Sequence, residues 1–160
     1  MPRWLSEDEQ QTWQAYIRLR QRLDAALSAG LAEHGLSMAD YELMVPLSAA
    51  PNGCLRAKEL AAEVCWDKSR LSKQLARMAT RGLVDRRPSE DDARGIVVSL
   101  TEAGRAVLER AAPDHVALVR ELFVDRLSPE ESAALRSLVD KVVAETDRRT
   151  AAPGKIDLRG

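Results

Sequence analysis

Four side chains at helical spacing, Arg70, Lys73, Gln74 and Arg77, carry the clearest chemical signal in this sequence. On a helix they share one face. They suit a duplex groove, because guanidinium and ammonium groups donate to phosphates and to guanine N7 and O6, while an amide pairs with adenine. Ser69 and Ser72 stand near the start of the same helix, where free backbone N–H groups favour anions, so both suit phosphate contacts. The whole chain holds 24 Lys and Arg against 25 Asp and Glu, yet Asp67 to Arg81 has five cations against one acid. A solvated charged face has the same pattern on an arbitrary helix; the flanking sequence decides between the two readings.

After that helix, Leu83–Arg87 and Ile96–Leu100 read as two short strands joined by Pro88–Gly95. Arg94 at the loop tip is a candidate for minor-groove insertion, since a narrow groove concentrates negative potential and guanidinium sheds water readily. Asp92, a poor DNA contact by itself, is expected to pair with Arg94 and orient it. A plain exposed loop ion pair, worth ~0–1 kcal/mol, is the alternative. Arg86 and Arg87 at the base of the hairpin are candidate phosphate contacts.

These groups need elements to aim them. Before the cationic helix, Leu55–Val64 reads as a short helix burying Leu60, Ala61 and Val64, and a break at Cys65-Trp66 leads to Asp67 as N-cap. Leu71, Leu75 and Met78 then point inward, and Gly82 ends the helix. Two short helices, a tight turn and a following hairpin make a winged helix-turn-helix. Upstream, Ser6 with Glu9 opens a long helix running to about Gly35, and Ser37 caps another reaching Ala50, with Pro46 weakening its last turn. Downstream, Thr101 begins a fifth helix in which Pro113 marks a kink or restart, and Ser128-Pro129 opens a sixth.

The fold class is therefore mainly α with a small β-hairpin wing, six helices in all. Hydrophobic residues are 45% of the sequence and aromatics 4%, which favours helices over a sandwich or barrel. One domain is expected over residues 1–150, with 36–100 forming the winged unit and 151–160 a mobile tail. The start of the chain is acidic where an export signal would be basic, and no apolar stretch approaches the roughly 20 residues that span a bilayer, so a cytoplasmic protein is expected.

Catalysis finds little support. His34 and His115 are the only histidines, and neither stands in H-E-x-x-H; no Gly-rich phosphate loop or G-x-S-x-G elbow is present. Neither a metal site nor a cofactor is expected. Cys54 and Cys65 are too few for a disulfide framework, and Cys65 beside Trp66 reads as a packed small hydrophobe.

Leu60-Ala61, Ser69-Arg70-Leu71-Ser72, Gly82-Leu83-Val84 and above all Asp92-Ala93-Arg94-Gly95 followed by Val98-Ser99-Leu100-Thr101-Glu102-Ala103-Gly104 make the chain resemble the MarR family of bacterial regulators. The resemblance covers about residues 6–148. It implies a triangular homodimer, with residues 6–35 and 101–148 supplying the dimer body and two winged units gripping one pseudo-palindromic operator. It also implies a repressor released by a small aromatic or other anionic effector. The family's pocket lies near the first, second and fifth helices, a zone that here includes Trp13, Tyr16, Arg20, His34 and Met44. The same residues at those spacings also suit an ordinary core. A winged-helix protein-interaction module without DNA binding is the rival reading.

Overall fold

The computed structural model describes residues 2–92 and 94–151, the side chain of Ala151 apart; most of the tail expected beyond residue 150 lies outside the described residues. The chain forms two compact units, Met1–Val119 and Arg120–Gly160. Six α-helices and a three-stranded sheet are described.

Helix α1 spans Glu7–Ala32 and α2 spans Met38–Ala49. Both begin with reciprocal caps. Glu9 N–H donates to Ser6 Oγ at 3.3 Å and Ser6 N–H to Glu9 Oε2 at 2.8 Å, and Ser37 with Asp40 repeats the exchange at 3.0 and 2.9 Å. Each satisfies N–H groups that the first turn leaves without a partner. Pro46 lies inside α2 and Pro113 inside α5, Glu102–Leu122, which runs through the proline as one helix without a restart.

The stretch expected to open the third helix divides. Cys54–Arg56 is a strand, β1, and only Ala57–Glu63 forms α3. Across the sheet Leu55 sits opposite Val98, which is fully buried, so the leucine gains more apolar contact in the ladder than on an exposed first helical turn. Glu59 accepts the Arg56 N–H at 3.0 Å and sets the helix start one residue later. Strands β2, Val84–Pro88, and β3, Ile96–Leu100, form the hairpin, and the antiparallel order is β1-β3-β2.

Helix α4, Lys68–Thr80, buries Leu71, Leu75 and Met78 against Leu43, Met44 and Leu47 of α2, Leu60 of α3, and Val84 and Val98 of the sheet. Helix α5 docks at its first turn. Thr101 N–H donates to the Leu83 carbonyl at 3.1 Å, its hydroxyl donates to the Gly82 carbonyl at 2.5 Å, and Gly104 N–H donates back to that hydroxyl at 2.9 Å. The L-T-x-x-G order thus has a packing cause: a Cβ on Gly104 would lie 2.0 Å from the Leu83 carbonyl oxygen.

In the second unit a single 3-10 turn, Val124–Arg126, precedes α6, Pro129–Ala151. Ser128 and Glu131 cap it reciprocally at 2.8 and 3.1 Å. Leu138, Val139, Val142 and Val143 on α6 stand exposed. No described helix is long and apolar enough to cross a membrane.

Candidate nucleic-acid interface

The turn between α3 and α4 is built at Cys65, which holds φ at 55°, a left-handed conformation unusual for a side chain with a Cβ. Trp66 N–H closes back on the Ala61 carbonyl at 3.0 Å, and Asp67 Oδ1 accepts the Arg70 N–H at 2.9 Å. Cys65 is exposed here, against the expectation that it packs as a small hydrophobe, because the left-handed turn swings it outward. Trp66 is buried, and the Arg70 guanidinium lies over its ring at 3.7 Å from the centroid. That stacking holds a long side chain in place at the start of α4, worth about 0.5–1 kcal/mol at an exposed site.

Ser69, Arg70, Ser72, Lys73 and Arg77 are all exposed on α4. Gln74 is not: only 5% of it is exposed, and it is withdrawn from the expected base-reading face. Its Nε2 donates to Asp40 Oδ1 at 2.7 Å, and its Oε1 accepts from Arg77 Nη2. Asp40 is itself buried, with Arg81 Nη1 donating to Oδ2 at 2.7 Å while Arg81 Nη2 donates to the Gly35 carbonyl. Of the five cations counted on this segment, Arg81 is therefore committed to Asp40 and the Gly35 carbonyl, although its side chain stays partly exposed. Burial pushes the Asp40 carboxyl up, but the Ser37 backbone N–H, the Arg81 guanidinium and the Ser37 hydroxyl outweigh it and hold the group below 3.8. Nothing local marked this network, although an acid at the third position after a serine cap was visible.

The wing tip is held by its backbone. Asp92 Oδ1 accepts the Arg94 backbone N–H at 3.0 Å, where an ion pair with the guanidinium was expected. Gly95 N–H donates to the Asp92 carbonyl at 2.9 Å, Ser89 N–H donates to the Gly95 carbonyl at 2.8 Å, and a Cβ on Gly95 would meet Ser89 Cβ at 3.0 Å. A short aspartate side chain turns the loop locally in this way. Arg94 is left exposed, and Arg56 reaches Asp91 at 3.0 Å, a contact the sequence reading did not include.

Arg86 and Arg87 separate. Arg86 pairs with buried Val98 and Arg87 with Val97, so the two side chains leave opposite faces of the sheet. Strand alternation could have told them apart. Arg86 joins Lys58, Lys68, Ser72, Asp92 and Arg94 around a groove of about 360 Å³ between the helix-turn-helix and the wing, with Ala61, Leu71 and Leu75 among its apolar lining. Four cations against one acid give that groove a positive field.

A family model described as MarR family matches residues 36–96, the winged unit up to the start of β3. The crystal structure of AbsC, a MarR family transcriptional regulator from Streptomyces coelicolor, superposes with a TM-score of 0.86 at 39% identity, covering 92% of this chain and 99% of that one. Sco3205 of the same organism, a MarR family transcriptional regulator crystallised in complex with DNA, gives 0.86 at 38% identity over 91% of each chain. The chain belongs to the MarR family. The multiple antibiotic resistance protein MarR of Escherichia coli K12 is 27% identical over 128 residues, 78% of this chain and 85% of that protein. With that membership the chain is a DNA-binding transcriptional regulator.

The five residues taken from the MarR-family pocket differ in their surroundings. Met44 is a core residue with no exposed surface, packed among Leu43 and Leu47. Trp13 and Tyr16 stack on each other at 5.4 Å between ring centroids, and both are exposed, as is Arg20. His34 Nε2 lies 2.9 Å from Asp114 Oδ2, joining the end of α1 to α5. None of the five lines the groove beside the wing.

His115, next to Asp114, packs on Tyr41 at 4.3 Å between ring centroids, and its buried Nδ1 has no hydrogen-bond partner. Burial holds its pKa below the ordinary 6.5. The unfolded chain therefore takes up a proton below pH 6.5 that the folded chain refuses, and stability falls as pH drops from 6.5 through the lowered folded value. His115→Phe keeps the ring and removes the proton site. Between about pH 7.5 and 5.5 its melting temperature should drop less than that of the wild type. Equal drops would show that His115 plays no part in acid sensitivity.

Proposed function

We propose that this MarR-family regulator binds a pseudo-palindromic operator as a homodimer, with α4 in the major groove and Arg94 in the minor groove, and represses the genes it covers until a small aromatic or anionic effector releases it. One observation carries the reading: Ser72 and Lys68 of α4 and Arg86 and Arg94 of the wing border the same groove, so helix and hairpin offer their cations to one surface. Ser69, Arg70, Lys73 and Arg77 extend that surface along α4. The complex of Sco3205 with DNA supports the same use of a chain 38% identical to this one. Exposed Leu138, Val139, Val142 and Val143 on α6, and exposed Trp13, Tyr16 and Leu19 on α1, support a dimer body, because an unpaired apolar stripe is costly in water. The effector rests on family membership, and a cytoplasmic location follows from work on the chromosome.

Salt dependence of binding to duplex DNA is the test. Each phosphate neutralised steepens the slope of log K against log salt by about 0.9, so several contacts per protomer predict a fall of roughly a thousandfold or more between about 50 and 200 mM salt. A flat response would move the chain to the rival class, a protein-interaction module. Footprinting should show two half-sites with centres about 10 bp apart. A single asymmetric footprint would contradict the two-fold arrangement.

A further inference from the structure

Gln74 is the only described residue of α4 that faces both ways, toward a buried carboxylate and toward an exposed arginine. Its amide orientation is forced. Asp40 only accepts, so the Gln74 atom 2.7 Å from Asp40 Oδ1 must be the NH2 group, and the Gln74 carbonyl oxygen must be the atom turned to Arg77. We propose that Asp40 is a positioning residue for base recognition: through the Gln74 amide it presents an acceptor that fixes the Arg77 guanidinium on the outer face of α4. The inference rests on the reading that Arg77 reaches a base edge in the major groove.

The chain of polarity runs from the interior outward. Oδ2 of Asp40 accepts from Ser37 N–H at 2.9 Å and from Arg81 Nη1 at 2.7 Å, two groups that can only donate. In Asp40→Asn the one remaining oxygen must stay with those two donors, so the new NH2 group faces Gln74. Two donors then meet at hydrogen-bonding distance, and the glutamine amide turns over. Its NH2 group now points at the Arg77 guanidinium, which loses its acceptor and faces a donor instead. Arg77 keeps its charge and its place in the sequence, but its fork is no longer held in one orientation. Preorganisation of that kind governs discrimination between bases more than it governs attraction to phosphate.

The measured quantity is the ratio of affinities for two duplexes at one salt concentration: one selected by the wild-type protein from a randomised pool, and a scrambled duplex of equal length. Asp40→Asn should lower that ratio about tenfold, in the range expected for one base contact. Adding Arg77→Ala to Asp40→Asn should lower it less than about threefold more, because the two act on one contact. The decisive variant exchanges the polarity of the pair. In Asp40→Asn with Gln74→Glu, the asparagine NH2 donates to the new carboxylate, which again offers an acceptor to Arg77, and the ratio should return to within about threefold of wild type. Gln74→Met, which leaves Asp40 with Ser37 and Arg81, should reproduce the loss without altering Asp40. Additive losses, or no recovery in the exchanged pair, or wild-type discrimination in Gln74→Met would each overturn the inference. Arg77→Ala alone with unchanged discrimination would instead remove the major-groove role of Arg77, so the two failures read differently.

Discussion

Gly104→Ala is expected to destabilise the winged unit by more than about 3 kcal/mol, the largest effect of an added Cβ among the described glycines. The new Cβ would stand 2.0 Å from the Leu83 carbonyl oxygen, well inside van der Waals contact. Neither side yields easily. That carbonyl already accepts the Thr101 N–H at 3.1 Å, and the Thr101 hydroxyl ties the same turn through Gly82 at 2.5 Å. Displacing α5 breaks those bonds, and displacing Leu83 disturbs a residue buried in the core. Gly30→Ala gives the contrast. There the new Cβ would meet only Leu118 Cδ2 at 3.0 Å, the end of a flexible side chain, and alanine gains up to about 1 kcal/mol of helix propensity. Urea unfolding of both variants checks the pair. A cost under about 1 kcal/mol at Gly104 would mean that α5 slides freely on the turn.

For Arg94→Ala the loss should appear in binding alone. The loop around Asp92 and Gly95 is closed by backbone N–H groups, which alanine keeps, so the melting temperature should stay within about 2 °C of wild type. Operator affinity should fall by about 1–3 kcal/mol, roughly fivefold to more than a hundredfold, as a guanidinium is withdrawn from a narrow groove. Arg94→Lys separates charge from shape. It should retain the salt slope but recover only part of the affinity, because ammonium gives up its water less readily. Titration at matched salt is the measurement. Equal affinity of Arg94→Ala and wild type would remove the wing tip from the interface.

What could be read from residue order was what forms over three or four residues. The caps at Ser6, Ser37 and Ser128 are exchanges with the third residue on, Asp67 accepts from the third residue on, and the inward stripe Leu71, Leu75, Met78 repeats at helical spacing. What escaped was set by partners far along the chain. Strand β1 has three residues, too few for any periodicity, and exists because Cys54 to Arg56 meet Ser99 to Val97. Gln74 sits at the border between the cationic and apolar faces of α4, and Asp40, 34 residues earlier, draws it inward. Asp92 and Arg94 were correctly placed at a loop tip, but two residues apart a carboxylate reaches a backbone N–H more easily than a guanidinium. The pocket residues came from the family resemblance, and sequence alone could not tell which of them were buried. Met44 is in the core, while Trp13 and Tyr16 are exposed.

Strand β3 is the middle member of its sheet, laced to the hairpin partner on one edge and to β1 on the other, and β1 runs into α3 without an intervening loop. The wing is consequently no free flap. Its inner strand shares backbone hydrogen bonds with β1, so the hairpin is tied through that strand to the start of α3.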